Sequence, residues 1–335
     1  HVALGIHTHN DGELAVANSL AAVQVGAIQV QGTINGYGER CGNANLCSII
    51  PDLELKMGYE CLADRDGLRH LTTLSRTVAE IANLSPDNHL AYVGKSAFAH
   101  KGGIHVAAIR RNVDSYQHIN PSLVGNEMRI LVSDLSGQGN LLSKAEEFGL
   151  DVSRTEALRV LDEIKRLENE GFVFEGAEAS VAIRLHRAKP DYKPIFTLID
   201  FTVLVSERNG YPLSQAMVKI DIDGDIVHTA ADGNGPVNAL DLALRKALIP
   251  RYPQISEFQL ADYKVRIPDS NNGTAAMTRV LIDTQNRETR WSTVGAGVNI
   301  IQASWLAMVD SVEYGLTLAG SESRPITSVS AVTGD

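Results

Sequence analysis

The sequence predicts an α/β chain whose C-terminal third turns to α+β, and three observations predict it. Residues 2–33 read as strand, helix, strand: Val2–Ile6 is apolar, a helix runs from about Gly12 to Val25 with Gly26 closing it, and Ala27–Thr33 is the next strand. Residues 64–84 and 153–171 carry apolar side chains at helical spacing. From Lys193 onward the period changes to that of strands. Two strand-strand-strand-helix runs follow, whose Gly-x-Gly turns start at residues 233 and 295, 62 apart.

The elements follow in order. Residues 64–84 place Leu68, Leu71, Leu74, Val78, Ile81 and Ala82 on one expected apolar helix face. Residues 85–97 are a polar connector, and a short helix is expected over His105–Arg111. Pro121 signals a helix start, Arg129–Val132 is strand-like, and a Gly-rich turn leads into another helix. Residues 153–171 form an amphipathic helix on Leu158, Leu161, Ile164 and Leu167, with a Ser153-x-x-Glu156 capping box and Gly171 as C-cap. Phe196–Val205 and Ala216–Ile222 are strands joined at Asn209-Gly210. Helices are expected after Gly235, to about Leu248, and over Ile300–Tyr314. Phe258–Ile267 and Met277–Asp283 are strands between them. The Ser/Thr-rich stretch Ser321–Asp335 reads as a fraying tail.

A net charge of −10 argues against nucleic acid or an anionic membrane surface as partner. Cys41, Cys47 and Cys61 are odd in number and lack metal-ribbon spacing, so reduced thiols and a cytoplasmic setting are expected. No apolar run has membrane-spanning length and no signal peptide is read.

Chemistry gathers where parallel strands end. Side chains of a strand alternate, so His7 and His9 point the same way and form a pincer for a divalent metal. The loop after the next strand delivers Asn43, whose amide oxygen completes a borderline N/O donor set. The alternative for His7 and His9 is a pair of hydrogen-bonded strand histidines. Glu39 and Arg40 are either a solvated ion pair or a brace for the Asn43 loop. Asn10 and Asp11 read as turn and N-cap residues. His105 follows Gly102-Gly103, a pair that lets the backbone approach another surface. Gly233-Asn234-Gly235 lacks the third glycine of a dinucleotide fingerprint. It is either a tight turn or an anion-accepting helix start.

The wording of several stretches resembles the isopropylmalate synthase and homocitrate synthase superfamily, most of all its citramalate-forming branch. These stretches are His7-x-His9-Asn10-Asp11, Gln31-Gly32-Thr33-Ile34-Asn35-Gly36, Gly38-Glu39-Arg40-Cys41-Gly42-Asn43-Ala44-Asn45 and Phe98-Ala99-His100-Lys101-Gly102-Gly103-Ile104-His105. The resemblance implies a fold of three parts: the last units of a TIM barrel over 1–60, helical linker subdomains over 61–192, and a regulatory or dimerisation domain over 193–320. A barrel needs eight β-α units, so the chain is expected to be the C-terminal part of a longer enzyme.

The implied activity is condensation of acetyl-CoA with pyruvate in isoleucine biosynthesis, with isopropylmalate synthesis as the alternative. From another class comes a non-catalytic, dimerising, effector-sensing module. The resemblance implies a homodimer and a divalent ion (Mg, Mn or Zn) on His7, His9 and Asn43, with one further Asp from a segment not present here. It implies a catalytic set of His105, Glu39 and Tyr116, with His105 acting across the dimer. It also implies an effector site for a branched-chain amino acid, isoleucine favoured, lined by Gly235, Val237, Ala239, Gly297, Asn299 and Ala303.

Overall fold

The structure is a computed structural model that describes residues 2–134, 136–268, 273 and 275–322. The chain divides into two compact units, His1–Ile130 and Leu131–Asp335.

In the first unit, β1 (Gly5–His7) and β2 (Gln29–Gln31) pair in parallel, with Ile6 opposite Val30 and His7 opposite Gln31. Helix α1 (Ala15–Gln24) makes the crossover, and its first free N–H, from Ala15, is received by the Asn10 side chain. Asp11 does not cap it; Asp11 pairs with Arg40 instead. Helix α1 buries Ala15 and Ser19, and Ser19 Oγ turns back onto the Ala15 carbonyl. A small core joins Ala15, Ala44, Ile49 and Leu53, the last two from α2 (Leu46–Pro51) and the π-helical turn behind it.

The helix expected over 64–84 breaks into a 3₁₀ segment, Arg65–His70, and α3 (Leu71–Ile81). Its buried face coincides with the expected apolar one only at Leu68 and Leu71. Leu74 is 44% exposed and Ile81 81%, whereas Leu68, Leu71, Thr72, Ser75 and Ala79 are buried. The helix docks through hydrogen bonds that apolar spacing does not reveal: Thr72 Oγ1 donates to the Val124 carbonyl and Ser75 bonds to Asn35. A core of Cys47, Leu68, Leu71, Tyr92, Val93, Phe98 and Val124 lies beneath it. Further on, β3 (Ala99–His100) pairs in parallel with β4 (Arg129–Ile130), and α4 (Gly103–Arg111) starts at Gly102.

The second unit opens with α5 (Gln138–Glu147), α6 (Arg154–Asn169) and α7 (Glu178–Arg187). The capping box of α6 is present in both directions, and Gly171, one residue past its cap, has φ +100°. Leu158, expected on the buried face, is 46% exposed; Val160 and Ala157 take the interior beside Leu161, Ile164 and Leu167. Helix α7 escapes a periodicity reading because residues 179–185 are all buried, polar Ser180 and Arg184 included. Ser180, Arg184 and Arg187 find their partners on α9. Asp310 receives Arg184 (2.9 Å), Arg187 (2.8 Å) and Ser180 Oγ (2.8 Å). Glu313 receives Arg187 and the Tyr192 hydroxyl. Burial opposes the Arg187 charge, but Asp310 and Glu313 outweigh it and raise its pKa; burial and Glu313 push the Tyr192 hydroxyl up to about 12.

Two antiparallel three-stranded sheets follow. One comprises β5 (Thr197–Arg208), β6 (Tyr211–Ile222) and β7 (Asp225–Gly233) in that order. The other has the order β10 (Arg290–Gly297), β9 (Thr278–Gln285), β8 (Gln259–Arg266). Both residues of the Asn209-Gly210 turn are left-handed (φ 56° and 77°), as a two-residue type I′ hairpin requires. Asp223-Gly224 repeats the device between β6 and β7 (φ 53° and 92°). Helix α8 (Pro236–Leu248) packs on β6 and β7, and α9 (Ile300–Glu322) on β9 and β10. One core runs through both, from Val218 and Ile220 by Leu240 and Leu244 to Trp291 and Trp305.

The structural spacing of the two sheet-and-helix runs is 64 residues rather than 62. Helices α8 and α9 begin at 236 and 300, and strands β7 and β10 end at 233 and 297. Thr229 Oγ1 bonds the Ala243 carbonyl as Thr293 Oγ1 bonds the Ala307 carbonyl. Gly233 therefore corresponds to Gly297, and Gly235 to Asn299. Within the expected tail, Ser321 and Glu322 complete α9, and 323–335 lie outside the described residues.

Candidate functional site

The first cluster forms at the ends of β1 and β2. His7 and His9 lie on one side of their segment, ring centroids 5.3 Å apart and planes at 71°. Across from His9, in an isolated antiparallel bridge, stands Asn43. Its loop is wound tightly by glycines. A Cβ on Gly42 would sit 2.1 Å from the Gly36 carbonyl oxygen, and one on Gly38 would sit 2.6 Å from Asn43 Nδ2. The Asn43 N–H is received by the Gly36 carbonyl and its Nδ2 by the Tyr37 carbonyl. Its Oδ1 is buried and accepts no hydrogen bond.

That orphaned oxygen is the test of fit for a metal. A buried acceptor without a donor is costly in water chemistry and natural for an atom that gives its lone pair to a cation. Two imidazoles and one amide oxygen thus fit a borderline divalent ion. Among the described residues no group of three His, Cys, Asp or Glu side chains could hold a metal.

Arg40, left-handed at φ 54°, forks onto both Asp11 oxygens at 2.9 Å and ties the Asn43 loop to the segment after β1. Its hydrogen bonds hold the Asp11 carboxyl below the usual range. Glu39 points away: its side chain is exposed and 3.9 Å from Arg40, and only its carbonyl closes the turn, to the Gly42 N–H. The brace is Arg40–Asp11, which local sequence does not reveal because the partners are 29 residues apart.

The second cluster is on α4. His105 stacks on Tyr116, centroids 4.3 Å apart and planes at 26°. Both rings are exposed. His100 lies close by; burial, and then the nearby His105, lower its pKa, and its Nε2 is buried without a hydrogen bond.

The third group comprises the two helix starts of the second unit. Gly235 has open space where a Cβ would stand, and the N–H groups of α8 receive no side-chain cap. Val237 is half-buried. At α9, Asn299 Oδ1 already receives the Ile301 N–H (2.8 Å). A Cβ on Gly297 would meet only ordinary contacts, none closer than 3.8 Å. Ala239 and Ala303 have no exposed surface and belong to the core, so in this chain they do not wall an open cleft.

Three families match the chain in series. The HMGL-like family matches residues 1–78, the "homocitrate synthase post-HMGL domain-like" family residues 92–171, and the "LeuA allosteric (dimerisation) domain" residues 175–316. The (R)-citramalate synthase of Geobacter sulfurreducens is 57% identical over 93% of this chain and 60% of its own length. That of a Synechocystis species is 53% identical over 94% of this chain and 59% of its own. The 2-isopropylmalate synthase of Cronobacter sakazakii is 30% identical over 92% of this chain and 57% of its own. The chain thus spans about 60% of the length of the curated relatives it matches. With three such families in chain order and relatives alike over nearly all of its residues, the chain belongs to the superfamily of isopropylmalate, homocitrate and (R)-citramalate synthases.

Proposed function

We propose that these residues serve a citramalate synthase, which joins acetyl-CoA, pyruvate and water into citramalate and CoA. The observation that carries this is the identity of 57% and 53% to (R)-citramalate synthases, against 30% to a 2-isopropylmalate synthase, over the same stretch of chain. In this reading residues 1–60 furnish the last units of a catalytic barrel, 61–192 the linker and 193–320 the regulatory and dimerising part.

His7, His9 and Asn43 would hold a divalent cation, and the chemistry such an ion would supply is Lewis-acid polarisation of the keto-acid carbonyl. Arg40 and Asp11 keep the Asn43 loop closed. His105 moves a proton at the acetyl methyl as the new carbon–carbon bond forms. Tyr116, stacked on the imidazole, fixes the ring plane and leaves its nitrogens free. Both rings are exposed in one chain, which suits an arm completed by a second copy.

The test is citramalate formation by the longer protein that carries these residues. His9→Ala should abolish it without unfolding, because it deletes a ligand and not core volume. His105→Ala should lower kcat at least a hundredfold with little change in KM for pyruvate. Wild-type protein that releases CoA with 2-ketoisovalerate but not with pyruvate would replace the reading by isopropylmalate synthesis.

The match to an allosteric dimerisation domain supports feedback control through the second unit. The open start of α8, with Gly235 and half-buried Val237, suits the carboxylate and side chain of isoleucine. Gly235→Leu should remove inhibition by isoleucine and spare the uninhibited rate. Ala239 is unsuited to this test, since a larger side chain there would overpack the core. Calorimetric titration of the chain with isoleucine, leucine and valine checks the ligand. No heat from any of the three at millimolar concentration would leave the domain a dimerising role alone.

A further inference from the structure

Asn35 is one of the few non-glycine residues with a left-handed backbone, at φ 63° and ψ 8°. Asparagine tolerates that conformation better than most residues, but it still needs outside contacts to hold it. Here the contacts come from 40 residues away. Asn35 Nδ2 donates to the Ser75 carbonyl (2.8 Å), and Ser75 Oγ donates to Asn35 Oδ1 (2.6 Å). The Cys47 thiol, fully buried, adds a third contact to Oδ1 at 3.5 Å. Ser75 is itself buried on α3, at a position where an apolar side chain would satisfy the core. The next residue, Gly36, supplies the carbonyl that receives the Asn43 N–H, and the Cβ of Gly42 would strike that same carbonyl.

We propose that Asn35 and Ser75 form a clamp by which helix α3 sets the position of Asn43, making both of them positioning residues for the metal site. The clamp fixes the Gly36 carbonyl, that carbonyl fixes the Asn43 backbone, and the glycine-wound loop leaves Oδ1 with no alternative donor. This rests on the reading of Asn43 as a ligand.

The probe is Mn²⁺ titrated into the chain, followed by the paramagnetic resonance of the free ion. Asn35→Gly keeps the left-handed backbone and removes both side-chain bonds. Ser75→Ala is the milder variant, and Ser75→Thr restores the hydroxyl. Asn35→Gly and Ser75→Ala should each weaken Mn²⁺ about tenfold while melting cooperatively, with Ser75→Thr recovering most of the loss. Wild-type affinity in both Asn35→Gly and Ser75→Ala, in a protein where Asn43→Ala does weaken Mn²⁺, would overturn the clamp and leave the ligand reading standing. Wild-type affinity in Asn43→Ala as well would overturn both.

Discussion

Asp310→Ala is expected to cost about 3–5 kcal/mol of folding stability, the loss typical when one partner of a buried ion pair is removed. The Asp310 side chain is 5% exposed and answers two guanidinium groups and a hydroxyl. Without it Arg184, 9% exposed, keeps its charge inside the protein with Glu163, half in solvent, as its remaining carboxylate among the described residues, at 3.6 Å. Ser180 also loses its acceptor, and Ser180 Oγ is what receives the Val294 N–H of β10. The damage therefore spreads from α7 and α9 into the sheet. Urea denaturation of the chain measures it. The exposed pair Arg251–Asp223, at 3.0 Å, is the comparison: Arg251→Ala should cost less than about 1 kcal/mol. An Asp310→Ala loss in that same small range would mean the buried network adds nothing beyond its surface counterpart.

Gly295→Ala should be the most damaging single methyl in the second unit. Its Cβ would lie 2.0 Å from the Ala303 carbonyl oxygen and 3.0 Å from the Ala307 nitrogen, both of them helix backbone. Backbone cannot swing aside as a side-chain tip can, so α9 must lift from β10 and open the core around Trp291 and Val294. About 3 kcal/mol, the upper end for overpacking, is expected. Gly297→Ala, two residues on, meets nothing closer than 3.8 Å and should stay within about 0.5 kcal/mol. Thermal melts of the two variants decide the matter: equal midpoints would refute the tight-packing account.

Much of this was legible in the sequence wherever local rules act alone. Strand alternation brings His7 and His9 to one side, the Ser153–Glu156 box starts α6, and Asn209-Gly210 makes a type I′ turn. Legibility fails where long-range bonds override the apolar pattern. Helix α3 turns Ser75 and Thr72 inward because Asn35 and the Val124 carbonyl wait there, and it leaves Leu74 and Ile81 outside. Helix α7 has no polar face to give it a period, since Ser180 and Arg184 are buried and pair with Asp310. For the candidate sites, residue types and neighbourhoods were readable, but partners were not. The Arg40 side chain, rather than that of Glu39, ties down the Asn43 loop, and His105 stacks on Tyr116 although 11 residues separate them. The two Gly-x-Gly turns look equivalent in sequence and are offset by two residues in space. One glycine of each is locked against a helix and the other is free.

That offset has a consequence for stoichiometry. The sheet-and-helix runs meet solvent differently: α8 begins bare, with Pro236 and Gly235 and no capping side chain, whereas α9 begins with its N–H groups already engaged by Asn299. For the proposed effector carboxylate, the two helix starts therefore offer one uncapped end, that of α8, and not two. In the proposed effector reading the expected saturation is one ligand per chain, set by a single asparagine standing where the other run has a glycine.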